Sequence, residues 1–137
     1  MSTAFVPDRG ASWWMRAEHV AIVAIFTSLA VAHFEDISWS RFIAAFLLID
    51  LVGYLPGAVA FRSSGGQRIP RIYHLLYNLT HSYVVEGAIV ALWMLASGGP
   101  EWAMVAVPIH LSGDRGLLGN FSKPWPLPFE PNKRPER

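Results

Sequence analysis

The 137-residue chain contains no cysteine, and only 15% of its residues are Asp, Glu, Lys or Arg. The first absence excludes disulfides, thiolate nucleophiles and cysteine-based metal sites. The second leaves little polar surface for a soluble globule of this length, because 53% of the residues are hydrophobic and 13% aromatic, and mean hydropathy is positive. Such a composition departs from soluble averages toward membrane proteins. A net charge of +1, with no basic run interleaved with aromatics outside the short tail, argues against nucleic acid as a partner.

Length alone allows one principal domain. Within it, apolar stretches cover about Trp13 to Phe34, Trp39 to Phe61, Ile72 to Ala96 and Trp102 to Leu118, each near the ~20 residues that a bilayer crossing requires. The first run follows Arg9 and Arg16 and carries Ala30-Val31-Ala32, a triplet of cleavage-site type. The cleavage context is weak, which favours a retained first helix over a signal peptide. Tryptophans 13, 14, 39, 93 and 102 fall at or near the ends of the stretches, as an interfacial belt does.

The expected fold is therefore all-α: a bundle of four transmembrane helices over residues 1–121, followed by a proline-rich cytoplasmic tail, 122–137, lying along the membrane surface as an extended strap. Orientation follows from the basic residues. Arg9, Arg16, Arg62, Arg68, Arg71, Arg115, Lys123, Lys133, Arg134 and Arg137 belong to one side, while Arg41 alone belongs to the other. The positive-inside rule then places both termini in the cytoplasm of a bacterial inner membrane. Pro56 and Pro108 predict kinks in the second and fourth spans, and the glycines at 53 and 57 and at 113, 116 and 119 predict close packing, within the bundle or between subunits.

Ionisable side chains inside these spans cost free energy, roughly 2.5 to 3.5 kcal/mol for a central Asp, Lys or Arg on insertion scales. Their placement is therefore informative. His74 lies near the cytoplasmic interface and His81 roughly 10 Å deeper on the same face, with Asn78 between them. His110 and Asp114 share a face of the fourth span, with Arg115 adjacent, and Asp50 lies about 16 Å from the outer end of the second. Asp50, His81 and Asp114 thus reach comparable depth on three helices. There they can pair, share a proton or bind one divalent metal ion, since imidazole and carboxylate suit Zn, Mn or Fe(II). A structural ion pair between Arg115 and one of the carboxylates is the bland alternative. His19 and His33 read as interfacial, and Glu86 as a partner for Ser82 one turn earlier.

Three patches, "FLLIDLVGYL", "YNLTHSY" and "HLSGDRGLLG", together resemble a family of small four-helix bacterial integral membrane proteins without an assigned function. The likeness covers about Phe46 to Gly119 and picks out Asp50, Tyr77, Asn78, His81, His110, Asp114, Arg115 and Leu117. Ile49 stands where that family tends to have proline, and the closing glycine is displaced to Gly119. The resemblance implies a fold and a residue set but no reaction.

The expected function is a membrane protein that binds or converts a hydrophobic or lipid-like small molecule by acid-base or metal-assisted chemistry, as a hydrolase, isomerase or cyclase. His81, His110, Asp114 and Asp50 would be the catalytic or metal-ligating set. Tyr77, Asn78, Arg115 and His74 would contact substrate. The alternative is a non-catalytic accessory subunit, in a homo-oligomer or a larger membrane complex, with the polar cluster acting as internal glue.

Overall fold

A computed structural model describes residues 9–130, with side chains from residue 12. The side chain of Arg9, together with Lys133, Arg134 and Arg137, on which the orientation expectation partly rests, lies outside the described residues. Among the described residues six α-helices follow one another: α1 (Arg9–Ala32), α2 (Trp39–Gly53), α3 (Leu55–Ser63), α4 (Arg71–Thr80), α5 (Tyr83–Ser97) and α6 (Ala106–Gly116). Short 3-10 turns, Phe34–Asp36 and Trp102–Val105, lead into α2 and α6. The described residues contain no strand, so the all-α expectation holds.

Ser12–Ala32 and Trp39–Ser63 are long and apolar enough to cross a membrane. A third crossing is available if α4 and α5, bent by 57° at their junction, act as one span. The bend is written in "THS". Thr80 Oγ1 donates back to the carbonyls of Leu76 and Tyr77, at 3.0 and 3.1 Å, a local bond that competes with helix continuation. His81 then leaves the helix, and Ser82 caps the next one, its Oγ accepting from the Val85 N–H. α5 ends at Gly98, whose φ of 81° is the left-handed conformation that glycine adopts without a Cβ clash.

The fourth apolar stretch behaves differently from the other three. α6 has 11 residues, about 16 Å of helix against a hydrocarbon core of ~30 Å. Its apolarity serves protein packing: Ala106, Val107, His110, Leu111, Ser112 and Gly116 are buried, and α1 and α2 both pack against it. The expected kinks are also relocated. Pro56 opens α3 just after the break at Tyr54, and Pro108 sits in the first turn of α6, where a missing N–H costs little.

Large apolar side chains cover the outside. Trp13, Ile25 and Val31 on α1, Ile43, Leu47 and Leu51 on α2, and Val84, Leu92 and Leu95 on α5 are all exposed. In water this surface would be a liability, and in a bilayer it is the solvent-facing side. Three glycines set the close approaches. A Cβ on Gly53 would come within 1.8 Å of Thr80 Oγ1, one on Gly57 within 2.3 Å of the Phe129 ring, and one on Gly116 within 2.7 Å of the Val20 backbone nitrogen. A Cβ on Gly113, by contrast, would meet open space.

The proline-rich segment does more than lie along a surface. Lys123 donates its backbone N–H to Asn78 Oδ1 at 2.7 Å, and its carbonyl accepts from Asn78 Nδ2 and His74 Nδ1, each at 3.1 Å. Phe129, 1% exposed, packs with Ala58, Ile69 and Tyr77 in a buried cluster. Glu130 accepts from the Tyr54 hydroxyl and from Arg62. Residues 120–130 are thereby strapped across α3 and α4.

Candidate functional site

Asp50, His81, His110 and Asp114 meet at the centre of the bundle, each offering one ligand atom, all within 4.8 Å of one another. Four local features bring them there. Asp50 lies on α2 next to the buried Ile49, and α2 can approach α4 closely because position 53 is glycine. His81 occupies the α4–α5 break, released from helical geometry by Thr80 and Ser82. His110 and Asp114, one turn apart, share the face of α6 turned toward α2.

His81 Nε2 is 3.0 Å from Asp114 Oδ2 and 3.3 Å from Asp50 Oδ1, and His110 Nε2 is 3.7 and 3.4 Å from the same two oxygens. Both histidines are buried, while the side chain of Asp50 is 46% exposed. The cluster is therefore closed on its imidazole side and open on its carboxylate side.

The other face of the His81 ring fixes its protonation pattern. Nδ1 lies 3.0 Å from the Tyr77 carbonyl, which can only accept, and 3.1 Å from Thr80 Oγ1, whose own proton goes to the Leu76 and Tyr77 carbonyls, so a proton on Nδ1 suits both contacts. The Tyr77 ring stacks on the imidazole at 3.9 Å. In a neutral ring Nε2 then presents a lone pair to two carboxylate oxygens, which also present lone pairs. Either a second ring proton or a cation between them relieves this repulsion. Linear hydrogen bonds do not provide that relief: His81 Nε2 and both nitrogens of His110 are buried without a hydrogen-bond partner, despite the short contacts. A proton is directional and answers one N···O pair at a time, whereas a divalent cation answers all four atoms at once. Two neutral imidazoles and two carboxylates also neutralise its charge, and this donor set suits Zn, Mn or Fe(II). The contact of His81 Nδ1 with a backbone carbonyl is the support that metal-ligating histidines usually have.

The remaining expected residues divide into neighbours of the cluster and fasteners of the strap. Tyr77 belongs to the first group: it is 1% exposed and its hydroxyl is unpartnered. Arg115 turns its guanidinium to the His81 carbonyl, 2.9 Å from Nη2, and over the Tyr83 ring, and the cluster's carboxylates face histidines. His74 and Asn78 do not reach the cluster but hold the Lys123 backbone. His33 stacks on Trp102 at the bundle end. His19, expected at an interface, instead faces α6, with Nδ1 3.0 Å from Ser112 Oγ. Ser112 Oγ also contacts the Tyr83 hydroxyl, so this network ties α1, α5 and α6 together. Glu86 is buried and lines a separate apolar cavity of about 610 Å³, walled by Leu48, Ile49, Ile89 and Val107.

Sequence reading missed Lys123, Tyr54 and Arg62. These line a second cavity of about 750 Å³ whose walls include Asp50, Asp114 and Tyr77. Outside the helices, burial holds the Lys123 ammonium below its usual range, and hydrogen bonds from Tyr54 and Arg62 hold the Glu130 carboxyl below its own. The signal in the sequence was "SKPWPLPFE", where Pro124, Pro126 and Pro128 alternate with Trp125, Leu127 and Phe129 between a lysine and a glutamate.

No family model, curated protein or solved structure matches the chain. The resemblance to the small four-helix family therefore rests on the three sequence patches, and the site is read from its own geometry.

Proposed function

We propose that the chain is a multi-pass protein of a bacterial cytoplasmic membrane that binds one divalent metal ion through Asp50, His81, His110 and Asp114, and uses it on a hydrophobic or lipid-like small molecule. The observation that carries this reading is the convergence of four ligand atoms within 4.8 Å, with three imidazole nitrogens among them or beside them lacking any hydrogen-bond partner. The four-pass arrangement counts the bent α4–α5 pair as one span and the short α6 with its 3-10 turn as another. Both termini lie on the cytoplasmic side in this arrangement. Among the described residues Arg16, Arg62, Arg68, Arg71 and Lys123 belong to one end, whereas Arg41, paired with Glu101 at 2.7 Å, belongs to the other.

A bound divalent ion polarises a carbonyl or phosphoryl oxygen and lowers the pKa of water. The chain's own groups do the rest. The Tyr77 carbonyl holds His81 in the tautomer that directs Nε2 inward, the Tyr77 hydroxyl is free to donate to a ligand, and the exposed side of Asp50 leaves an approach to the cluster.

The test is elemental analysis of detergent-purified protein, prepared without chelators and dialysed against trace Zn(II), Mn(II) or Fe(II), beside His110→Ala and Asp114→Asn. The expected result is about one ion per chain in the parent, consistent with a single four-ligand site, and loss of the ion in variants whose helical circular dichroism is retained. A parent protein that holds no ion after dialysis overturns the reading.

A further inference from the structure

The cavity beside the cluster has a composition that the metal reading alone does not explain. Its inner wall is Asp50 and Asp114, so any bound ion faces into it, and Arg62, Lys123 and Glu130 stand among its other residues. Lys123 is a chain-bound cation held in place: Nζ donates to the Phe129 carbonyl at 2.6 Å and lies 4.9 Å from the centre of the Tyr77 ring and 4.7 Å from that of Phe129. An ammonium has three donors, and a carbonyl takes one. Tyr77 contributes the second observation: its hydroxyl is buried and without a partner, on the residue that lines this cavity and stacks on the ligating His81.

Charge decides the ligand. Three carboxylates against two cations leave the lining with one negative charge, which would repel an anion. A divalent ion at the cluster reverses the sign to one positive charge. We propose that, given the metal site, this cavity binds a phosphate group, whose oxygens reach the ion side and the Lys123 ammonium and Tyr77 hydroxyl together. A phosphate offers several acceptor oxygens in a tetrahedral array, whereas a carboxylate offers two in one plane. The substrate class is accordingly a phosphate-bearing molecule, carried either by a lipid or free in the cytoplasm. This inference rests on the metal reading above.

The experiment uses full-length protein loaded with Mn(II) in a phosphorus-free maltoside detergent, with metal content measured on the same sample. The readout is ³¹P transverse relaxation of two probes, inorganic phosphate and dihexanoyl phosphatidic acid. Paramagnetic relaxation well above that of metal-free protein is expected. Lys123→Met and Tyr77→Phe should each weaken the apparent affinity at least about tenfold, the scale of one hydrogen bond involving a charged group, with metal content unchanged. Lys123→Met keeps the backbone contacts with His74 and Asn78, and Tyr77→Phe keeps the ring stacked on His81, so both variants are expected to fold. Tighter binding of the lipid probe identifies a lipid headgroup as the source, and equal binding identifies free phosphate. Protein that holds its manganese but does not relax the phosphorus of either probe, or variants that bind as the parent does, overturns this inference while leaving the metal site standing. Protein that holds no metal overturns both.

Discussion

Replacing Phe129 by alanine removes the side chain that anchors the strap. The ring is 1% exposed, lies where a Cβ at position 57 would stand, and meets the rings of His74, Tyr54 and Tyr77 at centroid separations of 5.3, 6.0 and 6.2 Å. Truncating a buried phenylalanine costs about 3–5 kcal/mol. The helices do not depend on Phe129 for their own hydrogen bonds, so the loss falls on docking of residues 120–130. At 1.4 kcal/mol per decade the docking equilibrium shifts by about two to three and a half decades. The Lys123 amide, bonded to Asn78 Oδ1 at 2.7 Å, reports it directly. Its hydrogen exchange in detergent, followed by mass spectrometry of the peptide that contains it, should accelerate by that factor or reach the unprotected rate. Phe129→Leu should recover most of the protection. Lys123 exchange within about threefold of the parent in Phe129→Ala, far short of that predicted shift, would show that the strap is held by its polar contacts alone and refute the packing argument.

Gly53→Ala places a methyl 1.8 Å from Thr80 Oγ1, so α2 and α4 must separate, at about 1–3 kcal/mol; a thermal scan should show a lower midpoint and metal content should fall, and an unchanged midpoint would contradict the assigned contact. Strap docking should depend on pH at both limits. The Glu130 carboxyl is held below its ordinary 4.5, so its contribution is full above that value and is lost as pH falls through the lower folded value. The Lys123 ammonium is held below its ordinary 10.5 by burial, so docking strengthens as pH rises from the folded value toward 10.5. Glu130→Gln should remove the acidic limb and Lys123→Met the alkaline one, both read by Lys123 or Leu127 amide exchange corrected for intrinsic rate; a limb that survives its own substitution rules out that assignment. In the metal-loaded protein, ¹⁵N shifts should show His81 protonated at Nδ1 and not at Nε2; the reverse tautomer is incompatible with the bond to the Tyr77 carbonyl.

Much of the cluster was legible in the sequence because membrane burial makes polar residues conspicuous. Asp50, His81, His110 and Asp114 stand out against hydrocarbon, and helical rise places three of them at one depth. Helical spacing could not show that His81 sits outside a regular helix. A pattern of period 3.6 continues smoothly through "YNLTHSYVV", but Thr80 and Ser82 bond to backbone groups and divide the span. The role of the fourth stretch is less legible for a related reason: apolarity marks exclusion from water and does not say whether lipid or protein does the excluding. α6, at 11 residues, is by itself shorter than a bilayer crossing, and the residues it buries are buried against protein.

The strap was the least legible part, and the reason is physical. Its three prolines at 124, 126 and 128 remove backbone donors and prevent a helix, and their alternation with Trp125, Leu127 and Phe129 does not reveal burial, since only Phe129 of those three is buried. Its position is set by single long-range contacts: the Lys123 backbone on Asn78, Phe129 over Gly57, and Glu130 on Tyr54. Two of these contacts have a member inside a helix to which sequence reading gives another role, substrate contact for Asn78 and helix packing for Gly57. The two assignments are compatible at Tyr77, whose ring supports His81 on one side and meets Phe129 and the Lys123 ammonium elsewhere. A change in strap docking therefore reaches the cluster through a side chain that touches both. This coupling makes the strap a positioning element for the site, and it predicts that Phe129→Ala lowers metal retention under dialysis even though Phe129 contacts none of the four ligands.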